Sequence, residues 1–272
     1  MYNLLKKPLY ASILVVIIVA SSVFIKLELR SYLINFHITE QQARWIGDII
    51  INFSLFALFF YLIRKLSLEK LGGISNEKLK NKLLLLIPFL LLIPMSTELF
   101  DLNWSETNLL NLFILLLWSL SIGFFEESAL RGFLQSVYLN KFWKSRMGII
   151  LSVFITSFIF GLLHLISWTG NLYSEINQVI IATILGVLFG ALLLKTNKLY
   201  PIAIIHALFD FFSGIDELKP ADNSVSNIVE NNSVIQEFSV SFILIPFFII
   251  GIILLIKIKL NELNLRDKLK DI

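Results

Sequence analysis

Eight apolar runs leave this chain few ways to fold: they occupy residues 8–25, 46–63, 83–95, 109–138, 147–166, 176–194, 199–213 and 238–256. A helix of about 20 apolar residues matches the roughly 30 Å hydrocarbon core of a bilayer, and shorter ones cross by tilting less and snorkelling at their flanks. With 57% hydrophobic and 16% charged residues, the 272-residue chain cannot enclose these runs in a water-soluble core. Lipid offers the backbone no hydrogen-bond partner, so the expected fold class is all-α: a polytopic membrane protein of about eight transmembrane helices. The third run is short and carries Pro88 and Pro94, so a kinked span and a re-entrant element both fit it. The first follows Lys6 and Lys7 in the manner of a signal peptide, but its core runs on to Ile25 without a small-residue cleavage pattern before Lys26, and it reads as a span. No internal repeat or heptad register interrupts the pattern, and the longest polar stretch, residues 214–237, reads as a loop. The expectation is a single integral membrane domain over 1–272.

Charge orients the spans. With the N-terminus inside, 18 of the 23 Lys and Arg residues fall in inner segments, and only Lys26, Arg30, Arg44 and Lys219 fall in outer ones. This is the positive-inside bias, and it places both termini in the cytoplasm. The remaining cation, Arg131, lies within an apolar run. A net charge of +3 spread in this way gives no case for a nucleic-acid partner. The absence of cysteine excludes disulfides, thiolate metal sites and a cysteine nucleophile. Abundant Ile, Lys, Asn and Phe point to an AT-rich genome, and a bacterial cell membrane is the expected location.

An ionisable side chain at bilayer depth costs on the order of 2.5–3.5 kcal/mol on insertion scales, so each one inside a run is a candidate for function. The set is short: Glu126, Glu127 and Arg131 in the fourth run, His164 in the fifth, His206 and Asp210 in the seventh. Asp48, at the edge of the second, can reach the headgroups. In GFFEESALRGFLQ, residues 123–135, the i, i+4 spacing of Glu127 and Arg131 predicts an internal ion pair. Glu126 then points about 100° away and is the carboxylate left for chemistry. The same residues could instead form a cytoplasmic helix end. In FIFGLLHLISW, residues 158–168, Phe160 stands one turn before His164 and can pack on its ring; a lone histidine there also fits a helix–helix contact. In YPIAIIHALFDFFS, residues 200–213, Asp210 follows His206 by one turn, where it could orient the ring, hold it protonated or face a substrate. If the fourth and fifth runs turn near Trp143, Glu126 and His164 differ in height by only about 6 Å at 1.5 Å per residue.

EESALR, FGLLH and HALFD, in that order on three apolar segments, resemble the Glu-Glu-x-x-x-Arg, Phe-x-x-x-His and His-x-x-x-Asn/Asp motifs of the CAAX-endopeptidase and bacteriocin-processing family, also called the abortive-infection family. The likeness covers roughly residues 123–211 within a family-like core of about 109–213. It implies a glutamate-dependent, metal-independent intramembrane endopeptidase whose cavity opens to the cytoplasm. By the same resemblance, Glu126 and His164 would activate the attacking water, His206 and Asp210 would stabilise the oxyanion, and Glu127 and Arg131 would support the first motif. One departure stands out: eukaryotic prenyl-protein members carry Asn where this chain has Asp210, and an ionised aspartate is a poor oxyanion donor. Asp210 is therefore expected either to be protonated or to hold His206 as the donor.

The chemistry agrees with the resemblance, since a base for water and a donor for the tetrahedral oxygen suffice for peptide hydrolysis, with no cofactor implied. Neither an HExxH zinc helix nor a GxSxG serine motif is present. Three other readings remain: a zinc site on one Glu and two His, a non-catalytic immunity or regulatory protein of the same family, and a small proton-coupled transporter. A membrane-associated peptide or protein is the expected substrate, and prenylated proteins, leader peptides and membrane-protein loops are all compatible with it.

Overall fold

The computed structural model describes residues 2–100, 102–167, 170–219 and 238–258, and among these no strand occurs. After a short helix at Tyr2–Leu5, the apolar runs become α1 (Pro8–Ile34), α2 (Glu40–Lys65), α3 (Lys82–Leu99), α4 (Leu109–Phe142), α5 (Arg146–Leu163), α6 (Leu172–Thr196), α7 (Tyr200–Gly214) and α8 (Ser239–Ile256). Among the described residues six of these, α1 to α6, are long and apolar enough to cross a membrane. The other two are shorter: α7 has 15 residues, and the apolar stretch of α8 runs over Val240–Ile256. The fold is thus the expected all-α polytopic one, with a helix under each of the eight runs. The third run is not broken by its prolines, because α3 absorbs Pro88 and Pro94 in a helix with a 3₁₀ turn at either end.

Side-chain caps set several boundaries. Thr39 and Gln42 form a reciprocal capping box at the start of α2, Asn108 and Asn171 accept backbone N–H groups at the starts of α4 and α6, and Ser145 caps α5. Each satisfies donors that helix geometry leaves unpaired. The hairpin between α4 and α5 turns at residues 143–145, where the sequence placed it.

Hydrogen bonds tie the helix ends into two layers. At one end, Lys80 N–H donates to Thr196 O, Leu199 N–H to Gly73 O, Lys198 Nζ to Ser75 O and Lys195 Nζ to Lys257 O. This is the basic end of the bundle, where Arg64, Lys65, Lys78, Lys80, Lys82, Lys195, Lys198 and Lys257 also lie. At the far end, Gln41 donates to Glu217 O, Arg44 pairs with Glu217, and Lys219 pairs with Glu98 at 3.1 Å and with Asp216. The Asp216 carboxyl is held below its usual range by its hydrogen bond with Lys219, whose ammonium is in turn pushed upward. Lys26 and Arg30 complete the far-end cations and face Asp48 and Glu40. Asp48 does more than reach the headgroups, because it also accepts from Trp118 Nε1 at 2.9 Å and so fastens α1 and α2 to α4. The inner cations Lys259, Arg266, Lys268 and Lys270, and the polar stretch beyond Lys219, lie outside the described residues.

Burial is uneven. The most apolar window of α1 is 17% buried, that of α6 67%, so α6 is the central post and α1 turns most of its surface to lipid. From Gly186 to Leu194 every residue of α6 is buried, and the site is built against this stretch.

Candidate active site

The carboxylates sit where α4 changes its winding. The helix is α from Leu109 to Glu127, π over Ser128–Gln135 and α again over Ser136–Phe142. Wide π turns are rare and gather at functional sites, because they rotate the side chains that follow. All eight residues of the π segment are buried.

Gly123 brings the second carrier helix to this point. A Cβ on it would lie 2.4 Å from Ala203 O and 2.7 Å from Ala207 N, so α4 and α7 touch backbone to backbone one turn before Glu126 and Glu127. Small residues permit such approaches between membrane helices. Gly123→Val is expected to force the two helices apart, costing about 1–3 kcal/mol from overpacking and removing the contact between His206 and Glu127. Denaturation in detergent alongside a cleavage assay would check it; wild-type stability and activity together would show that the approach is dispensable.

Across that contact His206 Nδ1 donates to Glu127 Oε1 at 2.9 Å. Arg131 Nη1 stands 2.9 Å from the same oxygen, which confirms the i, i+4 pair, and the two side chains are 0% and 2% exposed, too deep for a cytoplasmic helix end. His206 Nε2 lies 3.6 Å from Glu126 Oε2 and 3.8 Å from Asp210 Oδ2. His206 is therefore the hub of the cluster, and its hydrogen-bond partner is Glu127 rather than Asp210. Asp210 Oδ2 is buried without a hydrogen-bond partner.

His164 joins through Phe160. Its Nδ1 is 3.0 Å from the Phe160 carbonyl, which can only accept, so Nδ1 carries a proton, and in the neutral tautomer Nε2 holds the lone pair. The Phe160 ring stands edge-on to His164 at 4.9 Å and to His206 at 6.0 Å, and the Arg131 guanidinium lies 4.4 Å from its centroid. Phe160 was legible as a neighbour of His164. Phe189, which packs on His206 from α6 at 5.8 Å, carried no signal, since it is one apolar residue in an apolar run.

His164, His206 and Asp210 share the wall of a cavity of about 500 Å³, with Phe160 and Phe189 at its inner end. Glu126, one quarter exposed, meets this group through His206. Besides His164, His206 and Asp210, Gln178 and Ser213 add two uncharged polar groups, and the rest of the wall is apolar. Sequence reasoning missed both, because neither breaks its helix's pattern. Among the described residues no three His, Asp or Glu side chains are grouped as a metal ion requires.

Residues 108–212 match the family model for type II CAAX prenyl endopeptidase Rce1-like proteins. That stretch is similar to the Rce1-like family. The Rce1-like stretch spans α4 to α7 and contains all six side chains of the cluster, so the resemblance carried by EESALR, FGLLH and HALFD holds at the level of the family model. Comparison with curated proteins and with solved structures returned no match. The protein is a multi-pass membrane protein whose 108–212 stretch is similar to that family.

Proposed function

We propose that the protein is an intramembrane endopeptidase that hydrolyses a peptide bond in a membrane-associated protein or peptide. The observation that carries this reading is the position of His206: Glu126, Glu127 and Asp210 all stand within 4 Å of its ring, and His206 itself lines one cavity with Asp210 and His164. In this reading Glu126, with the bare Nε2 of His164, takes a proton from water as the water oxygen attacks the scissile carbonyl carbon. The negative charge that develops on the carbonyl oxygen is met by Nε2–H of His206, and collapse of the tetrahedral intermediate returns the proton to the leaving amine. Glu127 fixes the His206 ring at Nδ1, and Arg131 balances Glu127. Asp210 orients the Nε2 side of His206, which accounts for an acid where eukaryotic prenyl-protein members carry Asn.

His206→Ala should lower turnover by roughly 10²- to 10³-fold, the usual loss for one transition-state donor. A purified detergent preparation cleaving a quenched peptide would measure it, with folding checked by denaturation. Unchanged cleavage would remove His206 from the mechanism. Exhaustive chelation should leave the rate unaltered, whereas loss restored by zinc would reassign Glu126 and the histidines as ligands. The non-catalytic reading draws on the same contacts, since the Glu127–Arg131–His206 cluster also fastens α4 to α7. Asp210 Oδ2 favours catalysis, because it is buried on the cavity wall with no hydrogen-bond partner, where an oxygen that served only to fasten helices would be bonded.

A further inference from the structure

Independently of the peptidase reading, we infer that the protein holds the phosphate of an anionic phospholipid in a second cavity, between α1 and α2 at the far end of the bundle. None of the six cluster residues lines it.

This cavity measures about 560 Å³, as large as the one that His164 and His206 share. On α1 its wall is Val23, Lys26, Leu27 and Arg30, whose i, i+3, i+4, i+7 spacing makes one helical stripe. On α2 it is Arg44 and Asp48, one turn apart, and Ile166 closes it from the turn after α5. Three cations thus meet one carboxylate on the wall. Asp48 offsets them weakly, because it accepts from Trp118 Nε1 at 2.9 Å and stands 3.8 Å from Lys26.

The acids that pair with the two arginines, Glu40 and Glu217, are not part of the wall. Both pairs are open to water: the Glu40 side chain is 71% exposed and that of Arg44 37%. Such pairs contribute little to stability and give way to a better-placed anion. Each occupies Nη2 of its guanidinium, a group with five N–H donors in a planar fork that matches phosphate oxygens.

Position makes the anion a lipid. The first apolar run ends at Ile25, so Lys26 and Arg30 stand where α1 leaves the hydrocarbon for the headgroups. The most apolar window of α1 is only 17% buried, and Phe24 at 70% and Ile25 at 53% exposure stand beside the lining residues, so lipid chains run past the cavity. Val23, Leu27 and Ile166 offer apolar wall to the glycerol and the first chain carbons, which a free phosphate ion would not use. A basic pocket between membrane helices selects anionic headgroups, and a choline headgroup brings its own cation against the three on the wall.

The full chain in a neutral detergent would be titrated with phosphatidylglycerol and with phosphatidylcholine, and one-to-one complexes counted by native mass spectrometry. A cation near a membrane surface contributes roughly fivefold to such binding, so phosphatidylglycerol should be preferred by about tenfold or more. Arg30→Gln with Arg44→Gln should weaken phosphatidylglycerol about 25-fold and leave phosphatidylcholine unchanged. Lys141→Gln with Lys144→Gln, which removes two exposed cations at the other end of the bundle, should leave both unchanged. Val23→Trp fills the cavity without altering charge and should abolish the preference, which keeps the test decisive if loss of the arginines impairs folding. Equal binding of the two lipids by the wild type, equal losses in the two double variants, or an unchanged preference in folded Val23→Trp would overturn the inference. Displacement of bound phosphatidylglycerol by millimolar inorganic phosphate would overturn the lipid assignment in favour of a free-anion site.

Discussion

Glu126→Gln is expected to lower peptide cleavage by roughly 10²- to 10⁴-fold while leaving the protein folded. The substitution keeps the size and hydrogen-bonding capacity of the side chain and removes its basicity. Glu126 is one quarter exposed and stands 3.6 Å from His206, so the fold has little invested in its charge. His164→Ala should cost about as much, and the double variant hardly more, because groups that activate one water as a unit lose their contribution together. Losses that multiply across the double variant would show that the two residues act in separate steps. Wild-type behaviour of Glu126→Gln in purified form and in cells would establish the non-catalytic role instead.

Arg131→Met should be the most destabilising single change in the site, at about 3 kcal/mol or more in detergent denaturation. The guanidinium is 2% exposed, beside a fully buried carboxylate and over the Phe160 ring. Deleting it strands Glu127 in a poorly solvated place, where among the described residues His206 still pairs with it, which keeps the loss towards the lower end of the range for broken buried pairs. Glu127→Leu combined with Arg131→Met removes both charges and should be better folded than Arg131→Met alone. Cleavage should not return with stability, since the double variant also removes the acceptor that holds His206 Nδ1. Additive losses of stability in this cycle would show that the pair contributes nothing jointly.

Much of the site was legible because membrane burial makes polar residues conspicuous. Glu127 and Arg131 could be paired from their spacing alone, since one helical turn fixes their separation whether or not the rest of the fold is known. The hairpin at residues 143–145 followed from two apolar runs joined by a short polar link. The link from Glu127 to His206 was not legible. It joins residues 79 apart in sequence, and it exists because Gly123 lets α4 and α7 touch. Reading Asp210 as the holder of His206 followed from i, i+4 spacing; the structure puts its carboxylate 3.8 Å from Nε2 and gives the hydrogen bond at Nδ1 to Glu127.

The sequence by itself determined the all-α membrane architecture, the eight helical runs and the six side chains worth attention, because the cost of burying polar groups in lipid acts on each residue locally. Only the tertiary structure decided the π turn at Ser128–Gln135, the convergence of three carboxylates on His206 and the cavity that His206 shares with His164. Those depend on how closely particular helices approach and on which face each turns to its neighbour. Periodicity leaves such choices open wherever a helix is apolar all round.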